Sequence, residues 1–245
     1  MPRRFCLILI TLLWLPVVAH TADARPRIHV GYYEFPPYSY TDAQGQPSGS
    51  GLELTARLLE EAGYQAEFRS YPGARLYSGL QDGSVQIWPG APGKQELADH
   101  TIEGRHLLGE ITLNLYFRPD TPPPRLPDDL QGRGVILITG YSYWQEVNQW
   151  LEDPARRITR HRTSNHTSAL EMLQRRRGDY LLDYQAPVDQ ARRILNQEAL
   201  PFVEVQRLPL RLIFSRHAPD AERLRDDLDR AYQALVEAGE DLWLH

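Results

Sequence analysis

Cysteine is nearly absent: Cys6 is the only one in 245 residues. It lies inside an apolar leader, too early for a lipid-modified cysteine. The rest of the chain is therefore expected to have no disulfide, no thiolate metal site and no cysteine nucleophile. No excess of positive charge is present either. The formal net charge of −5 argues against a nucleic-acid partner or an anionic membrane surface. Beyond Val18 no apolar run approaches the roughly 20 residues that span a bilayer. Low complexity is confined to the run Pro122-Pro123-Pro124. The 8 histidines include no pair at metal-binding spacing on a helix, and His161 with His166 reads as a polar loop. Pro92-Gly93-Lys94 lacks the glycine spacing and following hydroxyl of a phosphate loop. No Ser-His-Asp order stands out, and no cofactor is called for.

What is present begins with a leader. Arg3 and Arg4 precede the apolar stretch Phe5 to Val18, and Ala22-Asp23-Ala24 fits a small-x-small cleavage site. This three-part pattern predicts a cleaved signal peptide over 1–24 and export to the periplasm. The remaining length is enough for one large or two small lobes held by their own cores.

The stretch Ile28 to Tyr40 organises the rest of the chain. Ile28-His29-Val30-Gly31-Tyr32 is a short strand, and Pro36-Pro37 ends it, because proline has no amide to donate to a ladder. Tyr32, Tyr33, Phe35, Tyr38 and Tyr40 crowd the strand end, as a packed plug or as a ligand-facing wall.

After a turn at Asp42 to Pro47, Leu52, Ala56, Leu59 and Ala62 recur at helical spacing up to Gly63. Tyr64 to Tyr71 alternates as a strand, Pro72 opens a helix ending near Gly83, and Val85 to Trp88 is a strand stopped by Pro89-Gly90. This β-α-β-α-β order implies a parallel sheet with helical crossovers. Glu110 to Arg118 is a long strand leading to the proline break.

The same grammar then repeats. A short helix covers Leu126 to Leu130 and a buried strand Gly134 to Ile138. A turn at Thr139 to Ser142 opens a helix over Tyr143 to Leu151. Asn165 or Thr167 caps a further helix, Gly178 to Asp183 is a strand, and Pro187 to Leu195 a helix. Strands at Phe202–Gln206 and Leu210–Ser215 flank Leu208-Pro209, and Asp220 to Glu237 is the final helix. The arginine patches Arg156-Arg157, Arg160-His161-Arg162 and Arg175-Arg176-Arg177 read as solvated helix faces and turns. The fold class is α/β, with two lobes.

In this order the chain resembles the bacterial periplasmic solute-binding proteins of family 3, the polar amino acid type. The resemblance rests on Val30-Gly31, Phe35-Pro36-Pro37-Tyr38-Ser39-Tyr40, Asp42 with Gly45, and Gly51-Leu52-Glu53-Leu54. It continues with Gly79 to Val85, Leu126 to Gly132 before Val135, and Gly178 to Pro187. It implies a type II periplasmic binding protein fold, with two mainly parallel lobes joined by two crossing strands. Lobe one would cover 25–116 plus 210–245, and lobe two 117–209. A small polar or amino-acid-like ligand would bind between them and drive closure. The protein would be a monomer that serves an ABC permease or a membrane sensor.

On that resemblance Tyr33, Phe35, Tyr38 and Trp88 form an aromatic wall. Arg75 either pairs with a ligand carboxylate or is a surface arginine. Thr139-Gly140-Tyr141-Ser142 presents amides at a helix start, as a carboxylate cradle or a simple cap. Asp183, at a strand end, receives an ammonium group, caps the next helix, or does both. Where amino acid binders offer a hydroxyl and then an arginine, this chain has Trp88-Pro89-Gly90-Ala91-Pro92-Gly93-Lys94, and Gln86 stands where aspartate is frequent. Lysine is a point charge, not a planar fork, so an ordinary α-amino acid ligand is not implied. Two alternatives stand beside binding: a dehydratase-like enzyme using Glu34, Lys94 and Asp183, and a sensing module without a transport role.

Overall fold

The computed structural model describes residues 25–244; the leader lies outside them. β1 (Arg27–Tyr32) is followed by a short hairpin, β2 (Tyr40–Thr41) and β3 (Pro47–Ser48), and by α1 (Ser50–Glu61). Then come β4 (Gln65–Ser70), α2 (Gly73–Asp82), β5 (Ile87–Gly90), β6 (Thr101–Glu103) and β7 (Gly109–Tyr116). Past the proline run lie β8 (Gly134–Ile138), α3 (Gln145–Glu152), β9 (Thr159–Thr163), α4 (His166–Gln174), β10 (Tyr180–Tyr184) and α5 (Gln185–Ile194). β11 (Phe202–Ser215) and α6 (Ala221–Glu237) complete the fold.

Apart from the separate β2-β3 pair, these strands form one curled sheet in the order β4-β1-β5-β11-β7-β10-β8-β9, with β6 also on β11. β1 lies parallel to β4 and β5, and β8 parallel to β9 and β10. The two parallel halves meet through β7 and β11, which run antiparallel to each other. β11 serves both halves, pairing with β7 over Phe202 to Leu210 and with β5 from Arg211 onward.

The largest apolar cluster runs through this junction, from Ile28 and Leu58 through Leu113 and Leu115 to Val135 and Tyr184. Smaller clusters pack α4 and α5 on the second half and α2 on the first. Asn165 caps α4, its side chain accepting from the Ser168 amide at 2.8 Å.

Three expectations need correcting. The strands expected on either side of Leu208-Pro209 are one strand. Proline's backbone is compatible with an extended chain, and pairing with β5 begins only after it, at Arg211. Arg160-His161-Arg162 lies on the edge strand β9, where charged side chains deter pairing with another chain. Pro89 and Gly90 do not stop the strand before them; both lie within β5, opposite Leu212 and Arg211.

Leu115 is 1% exposed on β7, between Leu182 of β10 and Val203 of β11. Leu115→Ala is expected to lower stability by about 2–5 kcal/mol, since it leaves a cavity where the halves join. Urea unfolding of the two proteins checks this.

Candidate functional site

β1 delivers Tyr33, Glu34 and Phe35 at its carboxyl end, and the chain then closes on itself. The Phe35 amide donates to the Ser39 carbonyl at 2.7 Å, and the Ser39 amide returns a bond to Phe35 at 3.1 Å. The loop is pinned to α1 by the Gly51 amide on the Tyr38 carbonyl, at 2.8 Å. β8 delivers Thr139 to Ser142 from the opposite half, and β10 ends in Asp183 and Tyr184. All are strand ends facing one crevice, the usual place for a ligand in such sheets.

The crevice is closed by aromatic rings from both halves. Tyr33 lies 5.7 Å from Trp88 and 5.6 Å from Tyr141, centroid to centroid. Phe35 stacks on Tyr38 at 5.8 Å and meets Tyr184 edge-on at 5.1 Å. Tyr141 lies 6.0 Å from Phe35 and 5.8 Å from Tyr184. Only about 20 Å³ remains under this wall beside Trp88, Ala91 and Leu108, room for about one water. Gly90 is required there, because a Cβ on it would lie 2.1 Å from Cε2 of the Trp88 ring.

Polar bonds cross the crevice too. The Tyr141 hydroxyl donates to the Glu34 carbonyl at 3.0 Å. Lys94 is 3% exposed, donates its ammonium to the Ser142 carbonyl, and holds Nζ 3.5 Å from the centre of the Trp144 ring. Ser142 Oγ contacts the Tyr77 hydroxyl at 3.4 Å and Glu96 Oε1 at 3.2 Å. At the mouth, a Cβ on Gly73 would lie 2.3 Å from the Gly140 carbonyl oxygen, so the two backbones touch. A groove of about 570 Å³ opens there between Ser70 to Gly73 on one side and Thr139 to Tyr141 and His166 on the other.

Asp183 is fully buried and already engaged. Its Oδ2 accepts from His166 Nδ1 at 2.7 Å, and its Oδ1 from the Tyr184 amide at 2.8 Å. The latter bond goes to the adjacent residue and is not a cap: α5 has Tyr184 at its N-cap and no side-chain capping bond, so the expected capping role of Asp183 is corrected. His166 Nε2 reaches the Tyr141 hydroxyl at 3.2 Å. The expectation of a polar loop at His161 and His166 is thus corrected. His161 lies on β9, whereas His166 opens α4 and packs on Asp183.

Of the expected site residues, Tyr33, Phe35, Tyr38, Trp88, Tyr141, Asp183 and, through Ser142, Lys94 gather at this crevice. Gly90 supports it from beneath. Thr139 lines the groove. Arg75 is exposed on α2, and its side chain makes no hydrogen bond or ion pair among the described residues. The sequence reading missed His166, Tyr77, Tyr184 and Trp144. The aromatic run Tyr141 to Trp144 was the available signal for the last of these.

Burial pushes the phenols of Tyr33, Tyr141 and Tyr184 well above their ordinary value, and that of Tyr77 up to about 12. All four therefore stay protonated donors near neutral pH. Burial is also the larger influence on Lys94 and brings its amine down to about 7, against the opposing pull of Glu96.

Residues 28–104 match the family model of the bacterial extracellular solute-binding proteins, family 3. No curated protein matches the chain. Solved structures with the same fold include a histidine kinase sensor domain with similarity to periplasmic binding proteins. It is 23% identical, has a TM-score of 0.71, and covers 88% of this chain and 92% of its own. A substrate binding protein of an ABC uptake transporter from Streptococcus pneumoniae, with bound histidine, is 14% identical at TM-score 0.70, covering 87% and 88%. The ancestral amino acid-binding protein described as a precursor of cyclohexadienyl dehydratase is 18% identical at TM-score 0.67, covering 88% and 92%. The architecture is that of a type II periplasmic binding protein. The match over 28–104 supports the resemblance to family 3 read from the sequence.

Between about pH 7 and the ordinary lysine value of 10.5, the unfolded chain keeps the Lys94 proton that the folded chain has released. The unfolded state then binds more protons, so this group makes stability rise with pH across that window. Lys94→Met is expected to flatten the rise between about pH 7 and 9. Urea midpoints of both proteins across that range check it.

Proposed function

We propose that the chain is an exported solute-binding protein that holds a small polar ligand between two lobes. The reading places lobe one at 25–116 plus 210–245 and lobe two at 117–209. The signal-peptide pattern over 1–24 supports a periplasmic location. The observation that carries the reading is the set of contacts across the crevice: Tyr33 on Tyr141, Phe35 on Tyr184, and the Tyr141 hydroxyl on the Glu34 carbonyl. These contacts are few and local, so a ligand that inserts between the rings exchanges them for its own and shifts the balance between open and closed forms. Rings and phenol donors suit a solute with an apolar body and a polar end.

Delivery to an ABC permease is supported by the likeness to the uptake protein, and reporting to a membrane sensor by the likeness to the kinase sensor domain. A pull-down from periplasm with and without ligand separates the two. A second reading, catalysis, draws on the buried chain Asp183–His166–Tyr141 and on Lys94 with its amine near 7, groups suited to proton transfer. Product formation from a bound ligand would favour it.

A thermal-shift screen against amino acids, organic acids, amines and sugars tests the binding reading. A ligand at about 100 times its Kd stabilises the fold by about 2.7 kcal/mol, which raises Tm by about 5–10 °C for a chain of this size. No rise with any class overturns the reading.

A further inference from the structure

We propose that this cleft selects an acidic solute without an ammonium group, such as an organic carboxylate, over the α-amino acid of the same skeleton. The inference rests on the solute-binding reading and names the ligand class for it.

The hydrogen-bond count around His166 is the starting point. The Tyr141 hydroxyl lies 3.0 Å from the Glu34 carbonyl and 3.2 Å from His166 Nε2. On its other side the His166 ring covers Asp183, with Nδ1 2.7 Å from Oδ2. Asp183 Oδ1 is taken by the Tyr184 amide. The carboxylate that would meet an ammonium group thus lies fully buried behind an imidazole, with a partner on each oxygen.

The remaining acids near the crevice are also engaged. Glu34 lines the groove, and its oxygens accept from the Thr41 amide, Thr41 Oγ1 and Ser70 Oγ. Glu96 takes Ser142 Oγ. One donor, by contrast, is placed where a ligand can exchange with an internal partner: Lys94 Nζ is held by the Ser142 carbonyl and faces the Trp144 ring. A carboxylate that takes the place of that carbonyl adds an ion pair to the hydrogen bond it replaces. An ammonium brought to the same place meets a donor of its own kind, and burying it without an acceptor is costly.

Calorimetry with two matched pairs tests this: 3-phenylpropionate against phenylalanine, and glutarate against glutamate, with phenethylamine as the amine alone. The expected result is binding of at least one acid about tenfold or more tighter than its amino acid, and none of the amine. Equal or tighter binding of the amino acid overturns the ligand class and leaves the solute-binding reading standing. Failure of both acids, while another compound in the wider screen binds, does the same. Failure of every compound overturns both. His166→Ala uncovers Asp183 and is expected to narrow or reverse the acid preference, whereas an unchanged preference overturns the role of His166. His166→Gln keeps a donor toward Asp183 and guards against a variant that fails to fold.

Discussion

Two antiparallel strands, β7 and β11, hold the molecule together. Apart from β6, which runs antiparallel on β11, every other strand of the large sheet belongs to one parallel half or the other, and the main apolar cluster passes from half to half beside these two. Parallel strands need helical crossovers, so each half is self-contained, and the only ladder shared between them is this crossing pair. A junction of that kind fixes the axis about which the halves face each other. The strand ends on both sides then open onto a single crevice, and its chemistry is decided by which side chains stand at those ends.

Those side chains are of two kinds, and they differ in how they bind the halves together. Rings contribute broad, weakly directional contact, which tolerates exchange for a ligand of similar shape. The Tyr141 hydroxyl and the Lys94 ammonium contribute directional bonds to backbone carbonyls, which fix the closed register. Burial keeps the phenols neutral but weakens the hold of Lys94 on its proton. Of the groups that bridge the crevice, Lys94 is therefore the one whose protonation changes near neutral pH.

Much of the fold could be read from the chain. The periodicity of Leu52, Leu59 and Ala62, the stop at Gly63 and the capping role of Asn165 all reflect local chemistry, and local chemistry is what a sequence displays. The aromatic wall was legible for the same reason, since Pro36-Pro37 ends a strand wherever that strand is placed. Partnerships made by topology were not legible. His166 meets Asp183 only because α4 begins beside the end of β10, which depends on the parallel register of β8 and β10. The continuity of β11 through Pro209 likewise depends on where β5 begins. Arg160 and Arg162 looked like helix surface because nothing local announces an edge strand.

The near-contact of Gly73 with the Gly140 carbonyl has a further meaning. Two backbones that meet without side chains between them set a mechanical limit: the mouth has no room to be narrower at that point. A single methyl group at position 73 would act as a doorstop, holding the mouth ajar while leaving the aromatic lining intact. The resting width of the crevice is thus set by a hydrogen atom in place of a carbon, at a residue whose own side chain is that hydrogen alone.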